Sequence, residues 1–394
     1  MQKCPWCKHL NVVSKFAILS PLFTWGKRCK QHVDSSKLFL TEFGDPAKVV
    51  KKEEFALQLA DMASKQVTFS PKDTSYMESN ESVCRFLKLK VLVKMLQAPI
   101  NPADINTIQG VYGVKPNLPF TLGNEGFGII EKAGSEVKNL KVGDWVIPGT
   151  NAWGTWRSYA LEEEKNLIKI PNDLDPAMAA TLAVNPCTAF RMLQDFETLS
   201  KGDTVLQNAA NSAVGQNVIQ IARHLGFRTV NILRNREGIE KLKQDLQDLG
   251  ADYVLTEEEF RASKLFKNGE LAQPKLVLNC VSGKAVIELV KAMAENGTLV
   301  TYGGMSRQPL IVPTSAFIFK NIRLVGYWMT RWNWQHGSNS TERKDMLAML
   351  CNMAKQGSLV APKHEFVPLD SFQEALARSC DTTRFHETKF IFKL

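Results

Sequence analysis

Apolar positions recur at a helical or a strand period along most of the chain, and the period changes in an orderly way. Residues 204–206 form a short apolar run, a turn of small residues follows, and Val214, Val218, Ile221, Ala222 and Leu225 then recur at helical spacing. Gly226 closes that helix, and a second apolar run over 229–233 predicts a strand. The alternation continues with helix 239–249 ending at Gly250, strands 253–255 and 276–280, and helix 284–294 ending near Gly297. Strand 298–302 runs into Gly303-Gly304, and the last strand of the set covers 322–328. Strands and helices of this length in alternation predict an α/β, doubly wound parallel sheet of the Rossmann kind.

The chain before this region reads differently. Gly44-Asp45-Pro46 is a turn ahead of Val49-Val50, and residues 51–86 are polar, charged and only weakly periodic. Alternation over 87–96 predicts a half-buried strand; Asn101 then caps a short helix with Pro102 in its first turn. A loop over 109–113 leads to short strands at 129–130, 145–147 and 167–170, separated by Gly and Pro, which predict a partly closed barrel. Helices follow at 176–182 and 187–193. The tail holds a helix over 343–354, Gly357, two short elements and a closing strand over 389–394, with no internal repeat.

Length changes the picture first: 394 residues favour two domains. The net charge of +9 is concentrated, since residues 1–33 carry Lys3, Lys8, Lys15, Lys27, Arg28 and Lys30 and no acid, leaving +3 for the rest. A body so nearly balanced argues against a nucleic-acid partner. The basic, acid-free leader predicts a mitochondrial transit peptide and a matrix address. Its apolar piece, 16–25, is interrupted by Ser20 and Pro21, and neither it nor any later stretch has the length to enter and cross a membrane. Of the eight cysteines only Cys4 and Cys7 are closely spaced, a C-x-x-C that suits a redox pair or half a zinc site; no second pair follows and it falls in the leader, so it reads as coincidence, and the rest read as reduced, mostly buried thiols.

Strand, small-residue turn, helix, strand is the unit that holds a dinucleotide pyrophosphate on a helix N-terminus. The turn here, Ala209-Ala210-Asn211-Ser212-Ala213-Val214-Gly215, departs from G-x-G-x-x-G, so an ordinary strand-to-helix turn stays open as an alternative. At the end of the second strand, where an acidic residue would take a ribose 2′-hydroxyl, Arg234, Asn235 and Arg236 stand instead. Two guanidiniums suit a 2′-phosphate, which favours NADPH over NADH.

Asn-Glu-Gly-Phe-Gly (124–128), Val-Gly-Asp-Trp-Val (142–146) and the turn over 210–215 resemble the medium-chain dehydrogenase/reductase superfamily. More narrowly, 100–113 (I-N-P-A-D-I-N-T-I-Q-G-V-Y-G), 185–193 (N-P-C-T-A-F-R-M-L) and 300–305 (V-T-Y-G-G-M) resemble the mitochondrial enoyl thioester reductases, from about Phe43 to the C-terminus. The resemblance implies a leader over 1–36, a GroES-like partly closed barrel as catalytic domain over 37–184 with an atypical insertion at 51–90, a Rossmann domain over 185–328, and a return to the catalytic domain over 329–394. It implies NADPH-dependent reduction of trans-2-enoyl thioesters, carried on acyl carrier protein or CoA, in mitochondrial fatty acid synthesis. A quinone or enone reductase of the same superfamily and a non-catalytic NADPH-binding protein are the alternatives.

On the family's pattern Tyr112 is the catalytic tyrosine and Trp328 lines the site, although a loop anchor and a strand-end core aromatic are the plain readings of those residues. Cofactor contacts fall on Asn185, Asn211, Ser212, Ala213, Val214, Arg234, Asn235, Arg236, Tyr302, Gly303, Gly304, Met305, Tyr327, Trp328, Met329 and Lys389. A helix cap for Asn185 and a solvated lysine for Lys389 are the plainer options. No metal is expected: zinc alcohol dehydrogenases have His where Asn124 stands, and an amide is a poor substitute. Ala213 replaces a usual glycine, so its methyl is expected to crowd the pyrophosphate or the turn. The segment between Val50 and Val91 is roughly 25 residues longer than the resemblance predicts, unusual for a loop in a compact domain. A homodimer joined through the 322–328 strand is also implied.

Overall fold

The structure, a computed structural model, describes residues 33–57, 88–380 and 388–394. The basic leader up to residue 32, the Cys4/Cys7 pair and residues 58–87 of the expected insertion lie outside the described residues. The chain divides into two compact units: unit 1 runs to Ala180 and takes in Gly337–Asn339 and His364–Leu394, and unit 2 comprises Thr181–His336 and Ser340–Lys363.

Unit 1 opens with β1 (Val33–Leu40), β2 (Val50–Leu57), β3 (Lys90–Pro99), β4 (Phe120–Thr121), β5 (Phe127–Ala133), β6 (Trp145–Pro148), β7 (Tyr159–Glu163) and β8 (Leu167–Ile170). Unit 2 holds β9 (Thr204–Asn208), β10 (Arg228–Leu233), β11 (Tyr253–Thr256), β12 (Leu276–Asn279), β13 (Thr298–Thr301) and β14 (Arg323–Gly326). The chain then returns to unit 1 for β15 (His364–Pro368) and β16 (Lys389–Lys393).

In unit 1 a sheet in the order β15-β16-β3-β5-β6-β8, with β7 also on β3, faces a smaller sheet β2-β1-β4. The two are knitted by main-chain bonds: Trp156 O accepts from Leu38 N and Ser158 O from Met95 N, both at 2.8 Å. This is the partly closed barrel the short strands predict. Alternation along β3 puts Val91, Val93 and Met95 into the core and leaves Lys94 exposed. At one end Trp156, fully buried, stands edge-on to Phe392 with ring centroids 5.1 Å apart and donates its indole N–H to Pro99 O.

Two expected boundaries in unit 1 shift. The leader was expected to extend to residue 36, but β1 begins at Val33 and pairs along its whole length with β2. After Val33 it runs through the polar residues 34–37, and Ser35 is buried nonetheless, a signal invisible in the apolar pattern. Likewise the insertion was expected from residue 51, whereas Val50–Leu57 is strand. Its charges are cross-strand partners: Lys37 lies opposite Glu53 and pairs with it at 2.9 Å.

Unit 2 is the doubly wound sheet, six parallel strands in the order β11-β10-β9-β12-β13-β14. The order reverses direction between β9 and β12, the place where such sheets bind ligands. Every residue of β9 is buried, as parallel strands covered on both faces require. The apolar pattern ends this strand at 206, but it continues through Gln207 and Asn208, whose side-chain N–H groups find acceptors inside. Gln207 Nε2 donates to Gly215 O at 3.0 Å and to Asn231 Oδ1 at 2.7 Å.

The C-terminal return is shorter than expected. Helices Met329–His336 and Thr341–Lys355 belong to unit 2, and apart from Gly337–Asn339 unit 1 resumes only at His364. The second of these helices buries Met346, Leu347, Leu350, Cys351 and Met353 and packs beside the helix Asn185–Gln194. After it, Val360 N donates to Gln220 Oε1 at 2.8 Å.

Candidate functional site

Each unit carries a share of the expected site. In unit 2 the chain leaves β9 through Ala209, whose φ of 51° is left-handed, and Ser212 caps the helix Ala213–Leu225. The Ser212 hydroxyl accepts from Gly215 N at 3.1 Å, and Asn211 O accepts from Gln216 Nε2 at 2.9 Å. The N–H groups of Ala213 and Val214 make no hydrogen bond among the described residues. Two open donors at the positive end of a helix suit a phosphate.

Gly215 is where the turn has no room. A Cβ there would lie 2.6 Å from Ala210 O and 2.8 Å from Ala209 O. Ala213 is instead the first helical residue, half-buried and without a positive φ. The expected crowding of the turn by the Ala213 methyl therefore does not arise, because the position that requires glycine lies two residues further on.

Arg234 and Asn235 are exposed and Arg236 half-buried, directly after β10. On the face of β9 and β10 that carries the helices Glu257–Ala262 and Ala285–Ala292 there is a cavity of about 280 Å³. Asn208, Ile232, Phe260, Arg261, Lys284 and Glu288 are among its lining residues. None of these was singled out from the sequence; they come from separate segments, and only the sheet order gathers them.

The ends of β12 and β13 complete this edge. Asn208 Nδ2 donates to Asn279 Oδ1 at 2.9 Å, Cys280 N donates to Asn208 Oδ1 at 2.7 Å, and Asn279 Nδ2 donates to Thr301 Oγ1 at 3.1 Å. Tyr302 follows, its phenol buried beside the Ser212 hydroxyl and the Cys280 thiol; burial pushes it well above its ordinary pKa, and raises the thiol to about 11. Gly303 is required by that thiol, since a Cβ would come within 2.7 Å of Cys280 Sγ, whereas Gly304 has space. Met305 is 63% exposed.

After β14, Tyr327 and Met329 are both buried, and the Tyr327 hydroxyl donates to Met329 Sδ at 3.1 Å. Their side chains are thus occupied with each other, and of the three only Trp328 presents one at the surface. It is half-buried, edge-on to Trp334 at 5.2 Å, with Arg331 over its ring at 6.0 Å. Asn185 is not the cap of its helix: Val184 holds that position, and Asn185 Nδ2 is buried with no hydrogen-bond partner among the described residues. An orphaned buried amide costs about 1–3 kcal/mol unless a ligand or water meets it. Open helix N–H groups, paired arginines and this amide together fit a phosphorylated dinucleotide.

In unit 1, Tyr112 is half-buried in the loop after the helix Pro102–Ile108, and Asn106 O accepts from both Val111 N (3.0 Å) and Tyr112 N (3.1 Å). Gly110 makes the turn at φ 72°, with the Phe43 side chain 3.0 Å from where a Cβ would stand. At the other end of this helix, Asp104 Oδ1 accepts from Asn124 N (3.1 Å) and Nδ2 (2.8 Å), and its Oδ2 from Asn101 N (2.9 Å). Asn124 Oδ1 in turn accepts from Ala152 N at 3.1 Å. Its amide is committed to protein groups at both ends, a structural arrangement rather than a metal ligand's.

Lys389 was expected beside the cofactor phosphate, or else solvated. Within unit 1 it joins a buried polar cluster with Asn101, Asp104 and Glu125. Its ammonium donates to Asn101 Oδ1 at 2.6 Å, burial lowers its pKa, and Glu125 and Asp104 oppose that shift. Nothing in the sequence shows that β16 is an interior strand, paired on both edges, so that the lysine at its start is desolvated.

Two family patterns match the chain: an alcohol dehydrogenase GroES-like domain over residues 88–172 and a zinc-binding dehydrogenase over 213–350. The mitochondrial enoyl-acyl-carrier-protein reductase of Rattus norvegicus is 44% identical over 377 residues, 95% of this chain and 90% of that protein. Among solved structures, a complex of Etr1p with NADP and crotonyl-CoA is similar with a TM-score of 0.77 at 30% identity, covering 92% of this chain and all of that one. A mitochondrial 2-enoyl thioester reductase heterodimer, Etr1p/Etr2p from Candida tropicalis, gives 0.76 at 31% identity, again covering 92% of this chain and all of that one.

The turn geometry separates two neighbouring substitutions. Gly215→Ala should lower unfolding stability by about 1–3 kcal/mol, as overpacking does, and weaken NADPH binding, because the helix must move off β9. Ala213→Gly should change stability by less than about 1 kcal/mol. Urea unfolding and a fluorescence titration with NADPH measure both; equal effects at the two positions would contradict the assignment.

Proposed function

The chain belongs to the mitochondrial enoyl-acyl-carrier-protein reductases, and from that footing we propose that it reduces trans-2-enoyl thioesters to saturated acyl thioesters with NADPH, in mitochondrial fatty acid synthesis. The nucleotide edge of unit 2 carries this assignment: open N–H groups at the start of the helix Ala213–Leu225, with Arg234 and Arg236 beyond the neighbouring strand. The substrate is an enoyl thioester carried on acyl carrier protein or CoA.

The helix N-terminus and Ser212 hold the pyrophosphate, and Asn211, Ala213 and Val214 lie along it. Arg234, Asn235 and Arg236 hold the 2′-phosphate, the cavity beside Asn208 and Lys284 takes the adenosine end, and Asn185 Nδ2 meets a polar group of the cofactor. The backbone from Tyr302 to Met305 passes against it, and Trp328 orders the substrate. When bound, NADPH supplies the hydride for the β-carbon of the enoyl group. Negative charge then develops on the thioester oxygen, and a proton must reach the α-carbon. Tyr112 supplies the hydroxyl for this: its phenol donates to the developing enolate. Asn124, with its amide held by Asp104 and Ala152, takes no part through a metal.

We also propose a homodimer. β14 is the outer strand of its sheet, and the helix just before it exposes Phe317 (43%), Ile318 (67%) and Phe319 (75%). An open strand edge beside a run of exposed large apolar residues is a surface that a second copy would cover.

Steady-state NADPH oxidation tests the assignment. Turnover with a trans-2-enoyl-CoA should exceed that with a quinone, and Tyr112→Phe should reduce enoyl turnover by about 10²–10⁴-fold, the range of a lost general acid. Faster quinone reduction, or an unimpaired Tyr112→Phe variant, would contradict it. Light scattering should give twice the chain mass, and Phe319→Asp should return it toward one; a monomeric native protein would contradict the dimer.

A further inference from the structure

Unit 1 buries a cluster of charged and amide groups that the proposed reaction does not use directly. Asp104 is 1% exposed, Glu125 0% and Asn101 4%. The Asn101 amide is pinned from both sides, donating through Nδ2 to Glu125 Oε2 at 2.8 Å and accepting at Oδ1 from the Lys389 ammonium. Asp104 is the junction. Through three accepted hydrogen bonds it ties the start of the helix Pro102–Ile108 to the chain at Asn124, ahead of β5.

Buried charge of this kind is costly to assemble and seldom kept for stability alone. Its position explains what it holds. The helix Pro102–Ile108 has two turns, a strut of about 10 Å. Asp104 fixes its first turn, and Asn106 O near its end accepts the main-chain N–H groups of Val111 and Tyr112. Movement at Asp104 therefore reaches the Tyr112 loop through one rigid element.

We infer that Asp104 is a positioning residue for Tyr112, its carboxylate locking the helix whose far end carries the tyrosine loop. This rests on Tyr112 being the proton donor. The charged groups around Asp104 are Glu125 from the segment before β5 and Lys389 from β16; Asn101 and Asn124 contribute neutral amides. Desolvation raises the Asp104 pKa to about 6, against the hydrogen bonds from Asn101 and Asn124 and the charge of Lys389, which all lower it. As pH falls through about 6, a proton enters a carboxyl whose two oxygens both accept N–H groups; those hydrogen bonds, which favour the charged form, weaken while the carboxyl stays buried, and the lock loosens.

Linkage makes this distinguishable from a merely structural role. Because the folded-state pKa lies above the ordinary value, the native state binds this proton more tightly than the unfolded chain. Asp104's contribution to stability therefore declines as pH rises between those values, while turnover rises over the same window. Asp104→Asn removes the titration and leaves a neutral group of the same shape.

The experiment measures turnover with trans-2-enoyl-CoA and hydrogen exchange at the Val111 and Tyr112 amides, normalised to intrinsic rates, from about pH 5 to about pH 8. The native enzyme should lose turnover and amide protection together through about pH 6. Asp104→Asn should exchange these amides about tenfold faster at neutral pH, lose turnover with little change in KM, and show no further acid limb near that pH. If the variant does not fold, the native enzyme's two pH curves decide alone. Unchanged exchange in the variant, or native protection that does not fall in acid, overturns the anchoring. Exchange that rises while turnover holds leaves the anchoring in place and overturns the role given to Tyr112.

Discussion

How closely the helix Ala213–Leu225 can lie against the end of β9 is the constraint on which unit 2 depends. Contact is made at Gly215, where even one added carbon would sit 2.6 Å from a carbonyl oxygen. That approach brings Gly215 O within reach of Gln207 Nε2, and Gln207 also bonds Asn231 on β10. One amide thus joins the helix Ala213–Leu225 to the strand that delivers Arg234 and Arg236. A buried polar bridge of this kind fixes register by direction as well as by packing, at the risk of a large penalty if a member is lost.

The two units solve the same problem with different chemistry. In unit 2 the buried polar groups at the strand ends are neutral amides: Gln207 with Asn231, and Asn208 with Asn279, which also orders the turn after β12 by accepting from Val281 N and Ser282 N. Neutral groups leave the local field to the helix N-terminus and the arginines, as anion binding requires. In unit 1 the buried groups are charged, and the cluster of Asp104, Glu125 and Lys389 around the Asn101 amide stands at the base of the helix that carries the Tyr112 loop.

Much of this was legible in the sequence. The βαβ unit over 204–233 appears with its small-residue turn and its stop at Gly226, because apolar periodicity and a terminating glycine are local signals; the cap at Ser212 shows only in the structure. The paired arginines after β10 were equally plain, as their type and spacing are properties of the chain itself. What stayed hidden depended on neighbours. β2 reads as charged linker until Lys37 is set opposite Glu53. Gly215 outranks Ala213 only once the Ala210 carbonyl is in place. Lys389 looks solvated until β16 is threaded beside β3, and the helix Thr341–Lys355 looks like part of the return until it packs beside Asn185–Gln194.

Cofactor discrimination tests the central claim most directly: that a 2′-phosphate is held by Arg234 and Arg236 beside an open helix N-terminus. The measurement is kcat/KM for NADPH and for NADH at saturating trans-2-enoyl-CoA, in the native enzyme and in the Arg234→Ala/Arg236→Ala variant. Hydrogen bonds to charged groups contribute about 1.5–3 kcal/mol each. The native enzyme should therefore favour NADPH by at least about a hundredfold, and the variant should lose most of that preference through NADPH alone. A native enzyme that uses NADH equally well, or a variant whose preference is intact, would contradict the account.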